Sequence, residues 1–213
     1  MKVTKYGHCS LYIEHQGLRV LTDPGIWSDL PTTLPVIDVL LITHEHGDHL
    51  HTPSVKNILA VSPSARVISN SSVAAILAKE GITIEVVDDG KKTVVNGISI
   101  EGFGKLHGEI YEKFGQVENT GYMIGDTFFY PGDSFYNPSR PVDILALPVA
   151  GPWMHMREAI NYAKEMKPRV MFPVHDGFLR PDRFGPFHFV PQTLLKESGL
   201  TFIVLPIGEA TDL

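Results

Sequence analysis

Cysteine, long apolar runs and an excess of positive charge are all missing or scarce in this chain of 213 residues. Its one cysteine, Cys9, excludes an internal disulfide, and we expect it to be a small buried side chain. No apolar stretch approaches the roughly 18 residues of a membrane span. The N-terminus also lacks a basic segment followed by an apolar core. These features predict a cytoplasmic protein with no membrane partner.

The charge balance is acidic, with 18 lysines and arginines against 24 aspartates and glutamates. A general nucleic-acid binder has the opposite balance, so we expect no nucleic-acid partner. With 43% apolar and 20% charged residues, the composition is typical of a globular protein with a sizeable core. Because no stretch resembles a linker, residues 1–213 are predicted to form a single domain.

The order of apolar runs and turns predicts an α/β (α+β) fold. A meander of strands followed by alternating strands and helices occurs twice along the chain. Leu200–Leu205 would be the closing strand. The aromatic and basic segment 176–191 would be a lid, a substrate wall, a dimer contact or a plain covering loop. We expect a four-layer αββα sandwich, with two mixed β-sheets packed face to face and helices outside.

The densest cluster of reactive side chains is the stretch from Thr43 to Leu50, which has the sequence THEHGDHL and directly follows an apolar run. In extended backbone, residues two apart project to the same side, so His44 and His46 can face one metal ion. The glycine that follows lets the chain turn, which brings Asp48 and His49 to a neighbouring point. Imidazole nitrogen and carboxylate oxygen are ligands that zinc accepts.

Three further candidate ligands, His107, Asp133 and His175, each follow an apolar, strand-like run. Ligands at strand ends are held by a rigid scaffold, while the loops beyond them stay free to shape a substrate cleft. For each of the three, an ordinary loop or core residue is the alternative. If the strand ends meet at one edge, they bring together five histidines and two aspartates, which is enough for two ions.

This pattern resembles the metallo-β-lactamase-fold superfamily. The hexad His44–His49 matches its motif H-x-H-x-D-H, and His107, Asp133 and His175 follow in its order and approximate spacing. The resemblance covers essentially the whole chain. Within the superfamily, the segment Gly7-His8-Cys9-Ser10 makes the chain most similar to the branch that contains ascorbate-phosphate lactonase and small bacterial metal-dependent hydrolases.

The resemblance implies a site for two divalent metal ions. Zinc suits the ligands, and manganese or iron are alternatives, since availability often decides. Asp23 would fix the orientation of a ligand, with a plain turn residue before a proline as the alternative. The implied ligands are His44, His46 and His107 for the first ion, Asp48, His49 and His175 for the second, and Asp133 bridging both.

The implied chemistry is hydrolysis by a metal-bridging hydroxide. Two ions would lower the pKa of a shared water and polarise a carbonyl or phosphoryl oxygen. Asp48 and Asp133 would partly offset the metal charge, and Asp48 would also orient the hydroxide. The expected substrate is a small ester, lactone or phosphodiester. A nuclease is the alternative, and an iron-dependent oxidoreductase is less favoured because flavodiiron proteins carry Glu where His46 stands.

Six residues are candidates for contact with the substrate, each with a structural or solvent-exposed role as the alternative. His8 in the first hairpin turn and His155 in a later loop should open towards the metal edge. Arginines in the segment 176–191 could pair with a phosphate or carboxylate, so an anionic substrate is among the expectations. A homo-oligomer stays open. The remaining candidates are Trp153, Arg180, Arg183 and His188.

Overall fold

Fourteen strands and four helices make up the fold in this computed structural model, which describes all 213 residues apart from the side chain of Pro181. In chain order the strands are β1 (Lys2–Lys5), β2 (Leu11–His15), β3 (Leu18–Thr22), β4 (Val39–Leu41), β5 (Arg66–Ser69), β6 (Glu85–Val86), β7 (Lys92–Val95), β8 (Ile98–Phe103), β9 (Gly121–Ile124), β10 (Phe128–Tyr130), β11 (Ile144–Pro148), β12 (Val170–Val174), β13 (Thr201–Phe202) and β14 (Ala210–Asp212). The helices are α1 (Thr52–Val61), α2 (Ser71–Ala78), α3 (Met156–Met166) and α4 (Gly185–Glu197), with a short 3-10 turn at Pro181–Arg183.

The strands form two mixed sheets of seven strands each. The first has the order β14-β1-β2-β3-β4-β5-β6 and the second the order β13-β12-β11-β10-β9-β8-β7. In the first sheet, pairing is antiparallel from β14 to β3 and parallel from β3 to β6. In the second, it is antiparallel from β7 to β10 and parallel from β10 to β13.

Alternation of side chains along the strands builds three apolar layers. Successive residues of a strand point to opposite faces of the sheet. Along β11, Ile144 and Ala146 join a cluster shared with the first sheet, whereas Leu145 and Leu147 join a cluster with α3 and α4. A third cluster lies between the first sheet and α1 and α2. Three buried clusters between four layers confirm the predicted αββα sandwich.

The outer helices are held by their apolar faces and by their ends. In α3, Ala159, Ile160 and Ala163 recur at helical spacing and are buried against the second sheet. The helix ends at Met166, and the next residue, Lys167, takes the left-handed conformation before a proline. In α2, the side chain of Asn70 accepts a hydrogen bond from the backbone at the helix start. Among the helices that the structure describes, all are too short or too polar to cross a membrane.

Two segments differ from the sequence prediction. Much of the expected loop 176–191 belongs to α4, because proline is compatible with the first helical turn, and burial of Pro191 and Leu195 offsets the hydrogen bond that the second proline removes. The closing strand expected at Leu200–Leu205 shrinks to β13. The last strand is instead β14, which pairs with β1.

The strand directions bring the candidate ligands to one edge. β3 and β4 are parallel neighbours, so Asp23 and His44 leave the first sheet at the same edge. β8, β10 and β12 run in the same direction. β8 and β10 are both antiparallel to β9, and the strands β10, β11 and β12 are parallel to one another. Therefore His107, Asp133 and His175 leave the second sheet at a common edge.

The layer between the sheets gives a first prediction. Phe172 and Phe128 are fully buried there, with ring centroids 6.2 Å apart. Phe172→Ala should lower the free energy of unfolding by about 3 to 5 kcal/mol, since it removes apolar contacts and leaves a cavity. Denaturant unfolding would measure the change. The same truncation at Phe114, which is 74% exposed, is the control and should cost about 0.5 kcal/mol or less. Equal losses would contradict the layer assignment.

Candidate metal centre

Six of the seven predicted ligands lie in two adjoining groups, and the seventh, Asp133, groups with His44 and His49. The first group consists of His44, His46 and His107, whose ring nitrogens lie within 4.8 Å of one another. The second group consists of Asp48, His49 and His175, together with His8. Its ligand atoms, one from each residue, also lie within 4.8 Å of one another. Apart from His8, this is the division that the family resemblance implied.

The carboxylate of Asp133 lies between the two groups. Its Oδ2 is 3.2 Å from Nε2 of His107, a member of the first group. The same oxygen is 2.7 Å from Nε2 of His175, and Oδ1 is 3.2 Å from Nε2 of His49, both members of the second group. One carboxylate therefore reaches both candidate ion positions.

The proton on His49 is located by a buried carboxylate behind the ring. Asp23 is fully buried and accepts hydrogen bonds from the backbone N–H and the hydroxyl of Thr43, from the hydroxyl of Tyr130, and from Nδ1 of His49 at 2.7 Å. A carboxylate can only accept, so Nδ1 of His49 carries a proton. In the neutral ring, Nε2 then presents a lone pair to Asp133.

The same reasoning locates the protons on two further rings. The hydroxyl of Thr43 donates to Asp23, so it accepts from Nδ1 of His44, 3.0 Å away. Nδ1 of His107 donates to the carbonyl oxygen of Gly108 at 2.7 Å. Neutral His44 and His107 therefore also present lone pairs at Nε2.

These lone pairs face one another and a carboxylate, which is repulsive unless a cation lies between them. Nε2 of His44, of His49 and of His175 and Oδ1 of Asp133 are buried without a hydrogen-bond partner among the described residues. Buried polar atoms are normally paired, so an unpaired convergent set requires an explanation. Imidazole nitrogens and carboxylate oxygens are the donors that a divalent ion such as zinc accepts. The residues present fit such an ion.

The electrostatics of the cluster favour a cation in the same place. Burial lowers the pKa of His44 well below its usual value and keeps the ring neutral. Burial alone would lower the pKa of His49 too, but Asp133 and Asp23 outweigh it and hold that pKa well above its usual value. The carboxylates that attract a proton to His49 would attract a metal ion, and the ion would displace the proton.

His8 has the opposite proton arrangement, which suits a hydrogen-bond donor to Asp48 and not a metal ligand. The backbone N–H of Gly177 donates to its Nδ1 at 3.0 Å, so the proton of the neutral ring is on Nε2, which donates to Oδ2 of Asp48 at 3.2 Å. Burial is the main reason why the pKa of His8 falls to about 4. Burial raises the pKa of Asp48, but the hydrogen bond from His8 helps bring it down to about 2. His8 therefore holds Asp48 as a charged acceptor.

The other predicted substrate contacts lie at varied distances from the ligands. Trp153 is buried, and its Nε1 donates to Oδ2 of Asp133 at 2.9 Å. His188 has Nε2 2.8 Å from a carboxylate oxygen of Asp176, the neighbour of the ligand His175. Their roles towards a substrate stay predictions.

Three of those candidates are on the surface. His155 is exposed at the start of α3, where its backbone N–H donates to Glu158. Arg180 is exposed and donates to both carboxylate oxygens of Asp182. Arg183 is exposed as well and lies 4.0 Å from the same carboxylate. In the described part of the chain, the contacts of these three side chains do not reach the ligand cluster.

Sequence reasoning missed the groups that support the ligands. Thr43 stands in the ligand stretch, but only its place between Asp23 and His44 reveals its function. Gly25 approaches the backbone so closely that a Cβ atom would lie 1.7 Å from the carbonyl oxygen of Asp48. Similarly, a Cβ atom on Gly177 would lie 2.8 Å from Cβ of His8. These contacts join residues far apart in sequence, so no local sequence pattern predicts them.

Comparison with known proteins assigns the family. The model of the "Beta-lactamase superfamily domain" family matches residues 2–175. The chain belongs to this family. The superfamily resemblance is thus confirmed, while the narrower likeness to ascorbate-phosphate lactonase stays a prediction.

Relatives and solved structures span the length of this β-lactamase superfamily chain. It is 30% identical to the protein Rv0786c of Mycobacterium tuberculosis over 97% of both chains. It is 27% identical to a UPF0173 metal-dependent hydrolase of Pyrococcus furiosus, with 100% of both covered. The structure of Igni18, a metallo hydrolase from Ignicoccus hospitalis, superposes with a TM-score of 0.79 at 21% identity, covering 100% of this chain and 98% of the other. At that identity, the match shows the fold.

Asp23 gives a second prediction, because it fixes the proton on His49. In Asp23→Asn, one of the two acceptor oxygens becomes a donor, so at least one of the four groups that donate to Asp23 loses its acceptor, and the negative charge behind His49 is removed. Metal affinity should fall by about 10- to 100-fold. Competition with a chromogenic chelator measures it. Asp143→Asn, at a surface carboxylate paired with Arg169, is the control and should leave affinity unchanged. Equal affinities in all three proteins would contradict the assignment.

His8 gives a third prediction, which needs no turnover. Nitrogen-detected NMR of the metal-free protein should show His8 protonated at Nε2, opposite to His44 and His107. In His8→Gln an amide N–H can still reach Asp48, whereas His8→Asn keeps only the acceptor for Gly177. Metal affinity should therefore fall more in the Asn variant than in the Gln variant. A proton on Nδ1 of His8 would show that the ring is free to act as a ligand.

Proposed function

We propose that this chain is a metal-dependent hydrolase that holds two divalent ions and cleaves a small ester, lactone or phosphodiester with water. The observation that carries the proposal is the pair of adjoining ligand groups that share Asp133, with imidazole lone pairs facing its oxygens. The name of the Pyrococcus relative, a metal-dependent hydrolase, supports the same reaction type. Zinc is the ion we expect first, with manganese and iron as alternatives.

The chain's own residues supply the ligands and their orientation. His44, His46 and His107 would hold one ion and Asp48, His49 and His175 the other, with Asp133 between them. When bound, such ions lower the pKa of water and polarise a carbonyl or phosphoryl oxygen. The N–H groups of His8 and Trp153 hold the carboxylates of Asp48 and Asp133 in place.

The pattern of burial indicates where a substrate enters. His44, His49 and His107 are buried, whereas His46 and Asp48 are partly exposed. The cluster is therefore closed from behind by the two sheets and open on the side of the His46–Asp48 turn. A substrate that enters from this side meets Asp48, whose charged form can orient a water molecule and accept its proton.

His46 gives the fourth prediction, which tests the function. His46→Ala removes the most exposed ligand of the first group, so metal content should fall from about two ions per chain towards one, and turnover should be lost. Metal content is measured by elemental analysis of protein never exposed to chelator. Turnover is measured with chromogenic lactones, phosphodiesters and β-lactams after reconstitution with each metal.

The control is His15→Ala, because His15 is a partly exposed histidine on β2 outside both ligand groups. It should keep metal content and turnover. Unchanged metal content in His46→Ala would contradict the ligand assignment. Full metal content without turnover on any substrate of the panel would contradict the proposed reaction and leave the metal centre standing.

A further inference from the structure

Three large apolar side chains are exposed beside the open side of the ligand cluster. Ile26 is 57% exposed, Trp27 42% and Phe178 41%. Single exposed apolar residues are common on any protein, but a contiguous group next to a reactive centre indicates a binding surface. We refer to Ile26, Trp27 and Phe178 as the apolar wall.

The wall is continuous with the candidate active site. The rings of Trp27 and Phe178 are in contact, with centroids 5.7 Å apart. Both stand against His8, at 5.2 Å and 6.0 Å, and Phe178 also lies 5.8 Å from the ring of His175. A molecule that reaches the second ligand group therefore passes along these rings.

The other end of the wall reaches the turn that bears the exposed ligands. The backbone N–H of Ile26 donates to the carbonyl oxygen of Gly47, which lies between His46 and Asp48. The wall thus runs from this turn, past His8, to His175. Because the wall lies along one side of the opening, it can contact a group attached next to the bond that is cleaved. It does not contact that bond itself.

Positive charge near the wall is already paired. Lys5 is buried and donates to Asp176 at 2.6 Å and to the carbonyl oxygen of Pro173 at 2.9 Å. Arg180 and Arg183, which follow Phe178 in the chain, are engaged with Asp182. Both arginines are exposed, where such pairs contribute little, and their contacts do not reach the ligand cluster. The exposed faces of the wall itself offer apolar contact.

We propose that the apolar wall binds an uncharged acyl or alkyl group of the substrate, adjacent to the bond that is hydrolysed. This rests on the proposed function and narrows it from small esters and lactones in general to those that carry an apolar chain. Burying one methylene fully is worth at most about fourfold in affinity, so on a half-open wall about twofold per methylene is expected.

The test compares chain lengths in two separate measurements. The first is kcat/KM for 4-nitrophenyl esters from acetate to octanoate, using metal-loaded protein. The second is calorimetric affinity for the matching alkanoates, which requires no turnover. In the wild-type protein, both quantities should rise by about twofold per methylene. In Trp27→Ala and in Phe178→Ala, the ratio of octanoate to acetate should fall by roughly tenfold.

Phe189→Ala is the matched control. Phe189 is 65% exposed on α4 and lies in a groove with Gln192 and Phe202, outside the contacts of the ligand cluster. Its truncation removes the same ring and should keep the wild-type ratio. A similar fall in this variant would mean that general surface hydrophobicity sets the ratio, and it would overturn the proposal.

The remaining outcomes test the apolar wall and the proposed hydrolysis independently of each other. Ester turnover without dependence on chain length overturns the wall and leaves the proposed function intact. Alkanoate affinity that rises with chain length and is lost in Trp27→Ala, without turnover of any ester, supports the wall and counts against the reaction. A wild-type dimer that Trp27→Ala converts to a monomer, with no dependence on chain length, would assign the wall to a contact between copies and overturn the proposal.

Discussion

The structure depends on one electrostatic constraint, which is that carboxylates and imidazole lone pairs are packed together where little water can reach them. Burying a charge is costly unless it is paired and hydrogen-bonded. Asp23 meets that requirement with four donors from the protein. Asp133 does so only in part, because its Oδ1 has no hydrogen-bond donor among the described residues. Asp23, behind the ligands, therefore has a full set of hydrogen-bond donors from the protein. Asp133, between the ligands, lacks a donor for one oxygen among the described residues.

The scaffold meets this constraint by joining the loops of both sheets around the cluster. The backbone N–H of Thr120 donates to the carbonyl oxygen of Thr43, and that of Gly108 donates to the backbone carbonyl oxygen of Asp133. The backbone N–H of His175 donates to the carbonyl oxygen of His8 in the same way. Such cross-links restrict the motion of each ligand and lower the cost of gathering seven side chains from distant parts of the chain.

Much of the ligand set could be predicted from sequence because each ligand follows a strand. Strands have a strong local signal, and parallel strands bring their ends to a common edge. The orientation of the rings could not be predicted in this way. It is set by contacts such as those of Tyr130 with Asp23 and of Gly177 with His8, which join residues 107 and 169 positions apart. The helical state of residues 185–191 was missed for a related reason, since burial of Pro191 and Leu195 outweighs two local proline signals.

Backbone strain at two residues of the site, Asp23 and His175, could not be predicted from the sequence either. Asp23 and His175 have positive φ angles of 34° and 61°, which side-chain-bearing residues rarely adopt. Residues are kept in such conformations only when their surroundings determine them, and these cluster at functional sites. Here the hydrogen bonds of Asp23, and the hydrogen bond from the backbone N–H of His175 to the carbonyl oxygen of His8, hold the two residues in these conformations. A sequence pattern reports average preferences, so it cannot indicate where a fold departs from them.

The charge of the cluster connects the number of ions to the kind of substrate. Asp23, Asp48 and Asp133 contribute three negative charges if all are ionised, while histidines that bind an ion as neutral rings contribute none. One divalent ion would leave the centre negative, which would repel an anionic nucleophile. Two divalent ions would leave a single positive charge, which one hydroxide neutralises. A centre balanced in this way gains little from an additional anionic group on the substrate. Under the proposed function, the apolar wall would then be the main source of affinity outside the reacting bond, which would favour an uncharged chain beside it.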